Sequence, residues 1–90
     1  MTFAYTRRLN ALHNREKIVE NICNEIIADA EYNLDKAEEG GLLGCNIELP
    51  EYPSVFTENV KECLNGFFEM WGYHIEWLGK DLIHISYDGE

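Results

Sequence analysis

The stretch "NREKIVENICNEIIADAEYNLDKAEEGG" places Val19, Ile22, Cys23, Ile26, Ala30, Leu34 and Ala37 at three- and four-residue steps. That spacing puts all seven on one side of an α-helix, as a single apolar stripe. It predicts a helix from Arg15 to Glu39, about 25 residues and near 38 Å at ~1.5 Å per residue. Asn14 reads as its N-cap, with His13 marking the start, and Gly40 reads as a left-handed C-terminal stop. Leu9 and Leu12 continue the stripe, which would carry the start further back. Ninety residues make one domain, 1–90. So short a chain buries only roughly 60–65% of its unfolded surface. A stripe this long is therefore hard for it to cover.

A second stripe follows the breaks at Pro50 and Pro53. In "PSVFTENVKECLNGFFEMWG", Phe56, Val60, Cys63, Leu64, Phe67 and Trp71 trace it, from about residue 55 to Trp71. Ser54 or Thr57 is a suitable cap, and Gly72 ends the helix. Gly66 in the interior suggests close approach of a neighbour. Between the helices, Cys45, Ile47 and Leu49 alternate with Asn46 and Glu48, which suggests a short strand over 45–49.

The closing "WGYHIEWLGKDLIHISYDGE" alternates apolar and polar residues twice. A two-residue turn at Gly79-Lys80 would pair Ile75 with His84 and mix the faces. The three-residue loop Gly79-Lys80-Asp81 pairs Leu78 with Leu82, Trp77 with Ile83, Ile75 with Ile85 and Tyr73 with Tyr87. Only the odd loop keeps the bulky residues together. Ile75, Trp77, Ile83 and Ile85 are then expected to be buried against the helices. The fold class is α+β: a long N-terminal helix, a second helix, and a C-terminal antiparallel β-hairpin. A two-stranded sheet is marginal, so the 45–49 strand or a second copy should cover an edge.

The solvent side of that hairpin carries His74, Glu76 and His84. These are zinc-ligand types, but a structural site wants four ligands and no CxxC or HxxxH spacing supplies the rest. The expectation is a solvated face, with no metal and no cofactor. Three cysteines, widely spaced, do not read as a disulfide framework. Cys23 and Cys63 lie on the stripes and read as small core residues. "GGLLG" has no phosphate-loop spacing, and no nucleophile–base or paired-carboxylate signature is present, so the chain is not expected to be an enzyme. No run approaches a membrane span, and the first residues lack the order of a signal peptide; both point to the cytoplasm.

Charge is the other strong constraint: 17 acids against 7 basic residues, a net of −10. Residues 1–17 hold Arg7, Arg8, Arg15 and Lys17 against Glu16, a balance of +3; residues 18–90 hold the other 16 acids against three lysines, a balance of −13. Such a body repels nucleic acid and attracts basic partners. Glu16 and Glu20, Glu25 and Asp29, Glu31 and Asp35, and Asp35 and Glu39 are like-charge pairs one turn apart, each costing a few tenths of a kcal/mol. With Glu38 they form a candidate partner-binding array, whose ~6 Å steps approach phosphate spacing. One reading is DNA mimicry toward a basic nucleic-acid-binding protein. The plainer reading is a solvated acidic face.

The closing "LNGFFEMWGYHIEWLGKDLIHISY", a helix running through glycine into a hairpin, together with the length and acidity, resembles small accessory proteins of tailed bacteriophages. The resemblance implies a non-catalytic inhibitor acting by binding in the host cytoplasm, with host nucleases or polymerases as typical targets. Alternatives are an oligomeric sequestrant of an anionic ligand such as a nucleotide, held by Tyr5, Arg7 and Arg8, or an immunity protein against a basic toxin. In each case self-association is expected. Leu9 and Leu12 need cover, and Arg7 and Arg8 can pair with Asp35, Glu38 and Glu39 of a second copy in an antiparallel dimer.

Overall fold

The computed structural model describes residues 3–87. The fold is α+β. Helix α1 spans Ala4–Glu39, strand β1 Gly44–Glu48, a 3-10 turn Ser54–Phe56, helix α2 Thr57–Met70, strand β2 His74–Trp77 and strand β3 Leu82–Ser86. The strands form one antiparallel sheet in the order β1-β3-β2, so β3 is central.

Helix α1 has 36 residues and measures about 54 Å. It starts at Ala4, so His13 and Asn14 are interior positions and not the helix start. No glycine or proline between Ala4 and Asn14 interrupts it. Phe3 precedes it in extended geometry with no side-chain cap bond, and no acid occupies the first turn. Its far end closes in a Schellman motif: Gly41 N–H donates to Glu38 O at 3.0 Å and Leu42 N–H to Ala37 O at 2.8 Å. The left-handed residue is Gly41, at φ 76°, rather than Gly40. Helix α2 ends the same way at Gly72, at φ 87°. There Tyr73 N–H reaches Phe68 O at 2.9 Å, and the two rings stack edge-on at 5.8 Å.

The buried side chains form one cluster: Cys23, Ile26, Ala30 and Leu34 from α1, Phe56, Val60, Leu64 and Phe68 from the second helical segment, Ile47 and Leu49, and Ile83 and Ile85. Each large apolar side chain so buried contributes about 1.5–3 kcal/mol. The 3-10 turn and helix α2 together bury a strict four-step row, 56-60-64-68, of which 60-64-68 is one ridge of the α2 surface. Phe68 thus takes the place expected for Phe67 and Trp71. Phe67 is half-buried, Cys63 is exposed, and Trp71 keeps 68% of its surface. Gly66 faces open space, with no neighbour near it. Neither Ser54 nor Thr57 makes a capping bond.

The hairpin register pairs Ile75 with Ile85 and Trp77 with Ile83, and Leu78 N–H donates to Leu82 O at 2.9 Å across the three-residue loop. Tyr73 meets Tyr87 edge-on at 6.2 Å. Ile83 and Ile85 are fully buried, whereas Ile75 and Trp77, on the edge strand β2, are half-buried. Trp77 is held by α2: its indole N–H donates to Asn65 Oδ1 at 2.9 Å, and Lys61 lies 5.3 Å over the ring. Strand β1 supplies the third strand, pairing Cys45 with Ile85 and Ile47 with Ile83. Gly44 sits against Ser86 so closely that a Cβ would lie 2.7 Å from Ile85 O.

Candidate functional site

Strand alternation puts Asn46, His84 and Glu76 in one row on the outer face of the sheet. His84 Nδ1 lies 2.7 Å from Asn46 Oδ1. An amide accepts through its oxygen and donates through its nitrogen, so this contact can be made by either tautomer of the imidazole. His74 pairs with Ser86 further along. Among the described residues no group of three or more His, Cys, Asp or Glu is placed to hold a metal ion. His84 therefore stands between Asn46, to which it hydrogen-bonds, and Glu76, which faces it across the strand pair.

The thiols are graded by exposure. Cys23 is buried at the α1–α2 contact, with its Sγ 4.0 Å from Val60 O. Burial, and after it the neighbouring Cys63 thiol, pushes its pKa up to about 12. Burial also raises Cys45. A thiol held protonated is a poor nucleophile. Cys63, read from the sequence as core, is the exposed one. The Tyr52 hydroxyl is buried, and burial raises its pKa against the lowering effect of the neighbouring Thr57 side chain.

All eight acids of the expected partner-binding array, Glu16, Glu20, Glu25, Asp29, Glu31, Asp35, Glu38 and Glu39, are exposed on α1. At about 100° per residue they do not form one row. Glu25 and Asp29 lie on one flank of the buried stripe, Glu16, Glu20, Glu31 and Glu38 on the other, with Asp35 and Glu39 between. Asn24 and Ala28 interrupt the series. Lys36, the one cation among the later acids, lies 5.5 Å over the Tyr32 ring. Four-residue spacing was visible in the sequence, but the circumference it covers depends on which side the core takes.

The residues expected to mediate self-association stand on a projection. Every residue from Phe3 to Ile18 is exposed, and Val19 is the first that the body partly covers. Arg15, 5.7 Å from the centre of the Phe56 ring, marks the root. Tyr5, Arg7, Arg8, Leu9 and Leu12 lie on this arm, with Leu9 at 48% and Leu12 at 44% exposure. The radius of gyration is 15.9 Å, against about 12 Å for a compact chain of this length.

At the other end, α1, the turn that follows α2 and the residue after β3 border a groove of about 260 Å³ lined by Leu34, Asp35, Glu38, Trp71, Tyr73 and Tyr87. The Tyr87 hydroxyl donates to Leu42 O at 2.6 Å. Its pKa is raised, first by burial and next by the Glu38 carboxylate. The groove therefore combines aromatic faces with two carboxylates, the surroundings that favour a cation. The sequence reading had Asp35 and Glu38 as acids and Trp71 as core, and so did not bring them together. Comparisons with protein-family models, with curated proteins and with solved structures found no match to the chain.

Proposed function

We propose that this is a non-catalytic binding protein of the phage-inhibitor type, whose acidic body engages a basic, nucleic-acid-binding protein and blocks it. The observation that carries this reading is that all eight α1 carboxylates are exposed. A chain selected only for helix stability would interleave lysines among them; this one tolerates like-charge pairs at four positions. Their distribution around the helix favours a partner that wraps α1, or meets the Glu31–Glu39 group, over a partner reading one phosphate-like row.

The test is capture from a bacterial lysate in parallel with a variant carrying Glu31→Gln, Asp35→Asn, Glu38→Gln and Glu39→Gln, followed by binding measurements on the purified candidate. A basic nucleic-acid-binding protein should bind the native chain, lose affinity with rising salt and with the four neutralisations, and lose its nucleic acid to the native chain. Equal binding to both chains, or a partner that keeps its nucleic acid, would overturn the reading.

A further inference from the structure

We infer that two copies pair antiparallel along α1, so that the cationic arm of each covers the aromatic–acidic groove of the other. This inference draws on the same Glu31–Glu39 acids as the partner reading above, so arm and partner would compete for them; its test reads self-association of the purified chain with no partner present. The arm and the groove are chemically matched. The arm presents Arg7 and Arg8 beside Leu9 and Leu12, all exposed; the groove presents Asp35 and Glu38 beside Trp71, which is 68% exposed. They cannot meet within one chain, because Arg8 and Glu38 are thirty residues apart on one continuous helix, roughly 45 Å.

The charge sequence of α1 selects the register. Set Arg8 of one copy level with Glu38 of the second. In an antiparallel pair Arg7, Arg15 and Lys17 then stand level with Glu39, Glu31 and Asp29; Glu31 lies on the same flank of α1 as Glu38, while Asp29 lies on the opposite flank, so Lys17 is matched in height only. The remaining acids, Glu16, Glu20, Glu25 and Asp35, stand level with Ala30, Ile26, Asn21 and Ala11. No acid is level with an acid, and all four basic residues of the first seventeen are level with one. The two-fold operation repeats every pairing. In the same register Leu9 and Leu12 come level with Ala37 and Leu34, at the height of the groove; both of those are already buried by their own chain. Beyond the helix end, Leu42 and Leu43 are exposed at 59% and 62%, and at the start of the arm Phe3 and Tyr5 are exposed as well.

The arm itself is short of local support. It has no capping side chain and no acid in its first turn, and Arg7 and Arg8 lie near the positive end of the helix dipole. A carboxylate-lined groove supplies the negative charge its own first turns lack. Elsewhere this chain uses the same cation-over-ring contact at Arg15–Phe56, Lys36–Tyr32 and Lys61–Trp77.

Two charge reversals test the pairing: Arg7→Glu with Arg8→Glu, and Glu38→Arg with Glu39→Arg. All four positions are exposed, and circular dichroism checks that each chain remains folded. Sedimentation velocity at micromolar concentration and low salt should show the native chain at twice 10.5 kDa. Each reversed chain alone should dissociate at least about tenfold more readily, and an equimolar mixture of the two should regain the dimer. Trp71→Ala should weaken the native dimer with the fold intact. A native chain that stays at 10.5 kDa, including one whose groove instead takes a basic peptide, would overturn the inference. So would a mixture that remains monomeric.

Discussion

One helix contains two regions that the same periodicity wrote and that meet opposite fates. From Val19 to Ala37 the stripe of α1 is covered by α2 and the sheet, and Cys23, Ile26 and Ala30 are at most 1% exposed. From Phe3 to Ile18 the stripe goes on through Leu9 and Leu12 with nothing over it. Hydrophobic spacing therefore specifies which side of a helix wants cover and says nothing about who supplies it. The rooted half is stabilised by burial. The arm is helical because a formed helix extends at little nucleation cost.

The sharpest way to break the comparison is one truncation made in each half. Ile26→Ala should cost the folded chain about 2–5 kcal/mol, because a methyl-lined void opens in a filled core. Leu9→Ala should change the unfolding free energy of the monomer by no more than ~0.5 kcal/mol. Urea denaturation at concentrations below those of self-association measures both. Similar costs would mean that the arm packs on its own body.

The rooted half should also respond to alkali where the arm does not. Native Cys23 keeps its proton to about 12, while an ordinary thiol loses it at 9.0. The native state thus binds more protons than the unfolded state between these values, so stability is level below pH 9 and falls as pH rises above it. Cys45 and Tyr52, also raised by burial, act in the same direction. Urea midpoints on either side of pH 9 should show the decline, and Cys23→Ala should flatten much of it. A midpoint unchanged above pH 9 would mean that the thiol is not buried at the helix contact.

A smaller effect separates the two ends of α1. Gly41→Ala forces a side chain into left-handed backbone and should cost roughly 1 kcal/mol of global stability. Phe3→Asp gives the arm the cap it lacks, worth about 0.5–1 kcal/mol to the local helix. Its benefit should show as slower amide exchange over residues 5–12, with the global midpoint unmoved. Slower exchange throughout α1 would show that the halves open as one unit.

Much of the architecture was legible from residues alone. The hairpin register followed because only a three-residue loop puts Ile75 opposite Ile85, and the third strand followed from the alternation at Cys45, Ile47 and Leu49. The start of α1 was not legible: Asn14 is a good cap in isolation, but a cap residue acts only where the chain before it leaves the helix. The choice between Phe68 and Trp71 escaped for another reason. Both fit a three-and-four spacing, and the ridge that α2 lays into the core decides between them. The groove depended on that choice, since it forms from the aromatic residue the core did not take.

The strand order has a consequence in time. β3 is the last of the three strands to be synthesised, and it is also the one both others bond to. A nascent chain that has emerged only as far as Trp77 carries β1 and β2 with no hydrogen-bonded neighbour between them. Its helices at that stage cannot yet bury the stripe against Ile83 and Ile85. Residues 82–86 thus act as a late closing step. Until they are added, the part of the core that Ile83 and Ile85 cover is open to whatever the nascent chain meets, a holding chaperone included.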